Sequence, residues 1–272
     1  MELFSRATAL SQGSWLMPEA SSFDRDAAVA YLNGALQRDR FVLYCQPIVQ
    51  VSSPHLENRF FEVLVRFRDE EEGLLPPGSF IPVLQEAGLM PMLDRWVVTT
   101  ALAKLKSMRG GESAGTGPCF SINLAADTLS DPDFTEFLSQ QLTRARVEAE
   151  QLMLEIPLHS AREQREAFEA IVGKLVGLGC AVAVSGVARD EVAMSRLREL
   201  GVRYAKFNGG TVLRANPDEQ VAASLGQLSE SCRSLGIKLI AEAVEWGGAL
   251  GFLESLQIDF AQGFAIAQPR PL

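Results

Sequence analysis

Residues 162–207 read REQREAFEAIVGKLVGLGCAVAVSGVARDEVAMSRLRELGVRYAKF. The stretch holds a helical pattern from Arg162 to Leu178, a glycine at Gly179, and a short apolar β-branched run from Ala181 to Val184. A second helical pattern from Glu191 to Leu200 leads through Gly201 into a second short run, Tyr204 to Phe207. Each glycine follows an apolar helix and precedes a strand, as helix C-caps do. Strands alternating with helices in this way predict a parallel sheet covered by helices.

Working outward, the same alternation recurs. Strands are predicted at Phe41–Val49, Phe60–Phe67, Cys119–Leu124, Leu152–Ile156, Lys238–Ala241 and Phe260–Phe264, which with the two above makes eight. Helices are predicted at Met90–Ser107, Asp133–Arg146, Glu219–Leu235 and Trp246–Leu256, and Gly236 repeats the C-cap position. Eight strands in 272 residues point to an α/β fold closed as a (β/α)8 barrel, with an open doubly wound sheet as the alternative that pattern alone allows. Residues 1–23 show no sustained period and read as a linker or lead-in segment. Residues 24–272 read as one barrel domain, opened by a helix over Asp26–Gln37.

Composition bounds the function. A hydrophobic fraction of 47% and a charged fraction of 22% fit a soluble globular chain with a large core. The net charge of −9 argues against a nucleic-acid duplex as the main partner, which would need a line of basic residues. Cys45, Cys119, Cys180 and Cys232 have no paired ligand spacing and read as reduced core residues of a cytoplasmic protein. No membrane segment or secretory leader is apparent. His55 and His159 read as loop or surface residues, and the acidic run Asp69-Glu70-Glu71-Glu72 as a solvated loop.

In a barrel the chemistry gathers at the C-terminal ends of the strands. There, or within the strands, the sequence carries Gln46, Glu62, Asn123, Glu155, Lys206, Asn208, Glu242 and Gln262. Glu62 lies in the apolar run Phe60-Phe61-Glu62-Val63-Leu64-Val65, where a buried carboxylate requires a cationic, metal or hydrogen-bond partner. Arg66 falls on the same strand face by period-two geometry, placed either to clamp a phosphate or to pair with Glu62.

These residues, with the words Tyr44-Cys45-Gln46-Pro47-Ile48-Val49, Phe61-Glu62-Val63-Leu64-Val65-Arg66, Ser121-Ile122-Asn123-Leu124, Ala241-Glu242-Ala243-Val244-Glu245 and Ala261-Gln262-Gly263-Phe264, resemble the EAL domain family of bacterial cyclic di-GMP phosphodiesterases. The resemblance runs from about Arg38 to Leu272 and implies a TIM-like barrel of the EAL type. It implies Glu62, Asn123 and Glu155 as metal ligands, Lys206 near the reactive water and Glu242 at the position of a general base. Active members carry a paired Asp-Asp after strand five, where this chain has Ser185-Gly186. A later Lys-x-Asp word reads Lys206-Phe207-Asn208, and a loop glutamate is replaced by Leu158, preceded by Pro157.

With those acids missing, the resemblance implies a non-catalytic cyclic di-GMP receptor of the FimX type, a group that regulates type IV pili. No metal cofactor is then required; Glu62, Asn123 and Glu155 are remnant ligands, and an unidentified protein effector reads the bound state. Gln46, Glu62, Leu64, Arg66, Asn123, Glu245, Gln262 and Pro269 are expected around the ligand. Asp94, in Leu93-Asp94-Arg95-Trp96, is either a guanine contact or an exposed residue early in a helix. Two readings compete: a protein-interaction module that has lost the nucleotide, and a weak metal-dependent phosphodiesterase. The sequence leaves the oligomeric state open, a dimer included.

Overall fold

A computed structural model describes residues 34–38, 40–54, 59–69, 73–108, 117–187, 191–212 and 219–272. The lead-in 1–23, most of the expected first helix, His55, and Glu70 to Glu72 lie outside them; residues 34–37 are helical.

Ten strands form one sheet: β1 (Phe41–Gln50), β2 (Phe60–Asp69), β3 (Gly73–Leu75), β4 (Cys119–Asn123), β5 (Leu152–Pro157), β6 (Ala181–Ser185), β7 (Tyr204–Asn208), β8 (Lys238–Glu242), β9 (Phe260–Ala261) and β10 (Arg270–Pro271). Eight of them close a barrel in the order β1-β2-β4-β5-β6-β7-β8-β9, with β9 returning to β1, while β3 and β10 extend the sheet at its edges. The helices are α1 (Ile81–Glu86), α2 (Met90–Met108), α3 (Ala126–Leu129), α4 (Phe134–Ala145), α5 (Leu158–Glu163), α6 (Arg165–Gly177), α7 (Glu191–Glu199), α8 (Gly209–Val212), α9 (Glu219–Ser234) and α10 (Ala249–Ser255).

One strand departs from the parallel expectation. β1 runs antiparallel to both its barrel neighbours, β2 and β9. Only residues 51–59 separate β1 from β2, and a parallel crossover needs about a dozen residues or more, so the chain must turn straight back. The expected strand Phe260–Phe264 is also shorter, because Gln262 leaves the ladder and its carbonyl accepts the Val244 N–H at 2.9 Å.

The glycine caps form as expected. Gly179 has φ +92°; its N–H donates to the Val176 carbonyl and the Cys180 N–H to that of Leu175, the paired bonds of a Schellman end. Gly201 repeats the pattern onto Arg198 and Leu197. The residues just past these caps, Cys180 and Val202, are buried and lead into β6 and β7. Arg146 and Gln257 end α4 and α10 the same way, both at φ 56° without being glycine.

Between barrel and helices lies the main apolar core, from Phe67 and Phe80 on one side to Leu239 and Leu253 on the other. Inside the barrel, Cys119, Met153, Ala181 and Ala183 pack with Phe60 and Tyr204 to form an apolar floor. Phe60, Tyr204 and Phe260 meet there with ring centroids 5.5–6.3 Å apart. All four cysteines are buried and unbridged, and His159 is exposed. Among the described residues no helix is long and apolar enough to cross a membrane.

Candidate functional site

Period-two geometry carries each strand from that floor to a polar mouth. Two residues above Phe60 stands Glu62, two above Met153 stands Glu155, and two above Tyr204 stands Lys206. Lys206 is 0% exposed, and its Nζ pairs with three carboxylates from three strands: Glu62 at 3.1 Å, Glu242 at 2.8 Å, and Glu155. Asn123, at the end of β4, donates from Nδ2 to Glu62 Oε1 at 2.8 Å.

Electrostatics within this cluster divide the carboxylates. Burial works to raise the Glu62 carboxyl, but the Lys206 ammonium and the amides of Asn123 and Gln262 outweigh it and hold Glu62 below the usual range. Burial pushes Glu155 up to about 7, aided by the charges of Glu62 and Glu242 and opposed by Lys206. Glu242 is raised by burial as well. Burial would lower the Lys206 pKa, yet its carboxylate neighbours drive it well above the usual lysine value. Lys206 therefore stays charged, and Glu155 and Glu242 are the carboxyls that burial shifts toward protonation.

Beside the cluster opens a cleft of about 300 Å³ lined by Gln46, Glu62, Leu64, Glu245, Gln262 and Phe264, among others. Gln46 Nε2 donates to the Ala267 carbonyl at 2.8 Å, and Gln262 Nε2 donates to Gln46 Oε1 at 2.8 Å. Among the described residues, Gln262 Oε1, in a residue 4% exposed, has no hydrogen-bond partner. Gly263 holds this arrangement because it lies against the backbone of Val244, where a Cβ would fall 2.2 Å from the Val244 nitrogen. The facing turn is set by Ala243 at φ 52°.

Arg66 does not pair with Glu62. Its guanidinium lies over the Tyr44 ring at 5.7 Å and donates to the Val65 carbonyl, with no carboxylate partner among the described residues. Pro269 is half-buried, just before β10. Ser185 and Gly186 stand at the end of β6 and Asn208 at the end of β7, and Leu158 is buried at the start of α5.

Asp94 is not exposed, and it is held beside Ala125, two residues past Asn123 at the end of β4. Its carboxylate is 4% exposed and accepts from the Ala125 N–H at 2.9 Å and the Thr128 hydroxyl at 2.6 Å, so it caps the start of α3. Burial lifts its pKa to about 6. The sequence reading missed Phe264, 57% exposed at the rim of the cleft; an aromatic directly after Gln262-Gly263 was the available signal.

A closed eight-stranded α/β barrel with buried carboxylates and a lysine at one mouth defines the class, a TIM-like barrel with its polar side chains gathered at one end. Within it, this chain belongs to the EAL domain family, whose model matches residues 30–269. Cyclic di-GMP phosphodiesterase PdeF of Escherichia coli (strain K12) is 29% identical over 252 residues, covering 92% of this chain and 32% of PdeF. The chain thus spans about a third of that relative's length. In fold it is similar to a MucR phosphodiesterase solved as a c-di-GMP complex, with TM-score 0.80 and 24% identity over 90% of this chain and 98% of that one. It is equally similar to the Xanthomonas citri FimX EAL domain in complex with c-diGMP, with TM-score 0.80 and 21% identity over 91% of this chain and 95% of that one.

Proposed function

We propose that this chain is a catalytically silent EAL domain that binds cyclic di-GMP and passes the bound state to a protein effector. The observation that carries the reading is the polarised relay Ala267–Gln46–Gln262. A carbonyl only accepts, so Gln46 must turn its nitrogen to Ala267 and its oxygen to Gln262, which must answer with its own nitrogen. Gln262 Oε1 is left as a buried acceptor beside the cleft, and an unsatisfied group of this kind costs about 1–3 kcal/mol. A guanine edge, with two adjacent N–H donors, satisfies it. Glu245 adds a second acceptor in the same cleft, Phe264 offers a ring for a base to stack on, and Arg66 lies on the Leu64 face of β2 with no carboxylate among the described residues to neutralise it. The MucR and FimX domains similar in fold were both solved with this nucleotide.

The silence follows from the donor set. Two-cation hydrolysis needs ligands that hold both ions against the attacking and leaving oxygens. Glu62, Glu155 and Glu242 are placed to hold one cation, in a space where Lys206 already bonds to each of them. Ser185, Gly186 and Asn208 add no carboxylate at the ends of β6 and β7. The described residues do not fit a two-cation centre, and the proposed binding of the nucleotide routes through none of them as metal ligands. The opposing reading, a weak phosphodiesterase, is favoured by the activity named for PdeF and by the same three carboxylates.

Calorimetric titration with cyclic di-GMP in EDTA, then with Mg2+, tests the proposal. One-site binding in EDTA is expected, weakened roughly ten- to a hundredfold in Arg66→Ala, the scale of a charged hydrogen-bond set. No binding in either buffer, or undiminished binding in Arg66→Ala, refutes it. Chromatographic detection of pGpG with Mg2+ or Mn2+, beside an active control enzyme, would establish the phosphodiesterase instead.

A further inference from the structure

A second cavity, of about 670 Å³, lies apart from the ligand cleft, between the first residues of β1 and helix α2. We infer that it docks an extended segment of a partner protein in which apolar residues flank an acidic one. Three independent features of its walls point to that occupant.

Helix α2 gives one wall. Its core stripe, which includes Leu93, Val97, Ala101 and Leu105, is buried, while Trp96, Thr100, Ala103 and Ser107, three or four residues apart, form a second stripe that lines the cavity. The other wall is a strand already used for strand addition. β10 pairs antiparallel with β1 at Cys45↔Arg270 and Tyr44↔Pro271, and the Leu272 N–H donates to the Leu43 carbonyl at 3.0 Å. The next residues along β1, Val42 and Phe41, line the cavity, so an extended chain lying there continues the row that β10 begins.

Charge selects the chemistry of that chain. Arg68 and Lys104 both line the groove, and among the described residues neither has a carboxylate partner. In a protein of net charge −9, two such cations over an apolar floor favour a carboxylate from outside.

The surface is tested by panning a random dodecapeptide phage library on the purified protein and measuring a synthetic copy of the most enriched peptide by fluorescence anisotropy. Enriched peptides are expected to carry Asp or Glu among apolar residues, and to bind about tenfold or more weakly to Ala103→Arg and to Lys104→Glu. Ala103 is exposed on its helix and lies outside the ligand cleft, so an unchanged cyclic di-GMP titration of Ala103→Arg separates this proposal from the nucleotide reading. Absence of enrichment, enriched peptides lacking acidic residues, or affinity for both variants undiminished from the wild type overturns it. So does a dimer in sedimentation that Ala103→Arg converts to a monomer, which would give the groove to a second copy of the chain.

Discussion

Replacing Lys206 with methionine removes one ammonium and little volume, and it leaves Glu62, Glu155 and Glu242 facing one another with ligand atoms within 4.8 Å. Breaking a buried ion pair by deleting one partner costs about 3–5 kcal/mol, because the surviving charges keep their desolvation penalty. Each kcal/mol lowers Tm by roughly 2–4 °C in a domain of this size class, so a fall of roughly 6–20 °C is expected at pH 7. The pH dependence sharpens the test. Without the ammonium the folded-state carboxyl values rise above the unfolded 4.5, so the folded state holds protons that the unfolded state releases, and stability falls as pH rises from that point. The deficit of Lys206→Met should therefore shrink as pH is lowered toward 4.5, and adding Glu155→Gln should recover part of it at pH 7. A deficit under about 1 kcal/mol, or one independent of pH, would refute the account of Lys206 as the charge that holds the mouth together.

Asp94 gives a second titration. Its folded pKa of about 6 exceeds the ordinary 3.8, so its contribution favours the fold at low pH and declines as pH rises through that window, by about 3 kcal/mol in total. Urea unfolding at pH 4 and pH 6.5 should show this decline in the wild type and its loss in Asp94→Asn; equal slopes would contradict it. Gly263→Ala should disable the cleft, since its Cβ would fall 2.2 Å from the Val244 backbone. Loss of nucleotide binding together with a lowered Tm is expected, and a fully stable, fully binding variant would show that the turn can relax.

All eight barrel strands were legible as short apolar runs, and before β6, β7 and β8 a glycine at the helix end gave a second, agreeing signal. Arg146 and Gln257 end helices in the same left-handed conformation without any sequence mark, so their caps were invisible. The direction of β1 escaped because an alternating pattern reads alike both ways, and only the short 51–59 connection encoded the reversal. At the site, a carboxylate inside an apolar run announced that Glu62 had a partner, and Lys206 with Asn123 proved to be that partner. Asp94 departed from its exposed alternative because helical periodicity does not say which polar group will be buried to serve a neighbouring helix. Phe264 lay in a quoted word, but its exposure is a tertiary fact.

The reversed first strand also sets a timetable. β1 is completed by β9 and β10, and Gln46 gets its orientation from Ala267, 221 residues later. At roughly 5–20 residues per second of synthesis, tens of seconds pass between the two ends of the relay leaving the ribosome. Until then the first strand has one sheet edge exposed and the nucleotide cleft lacks an entire wall. A nascent chain can thus build most of the barrel before the proposed ligand site is complete, and that site waits for the segment from β9 to β10.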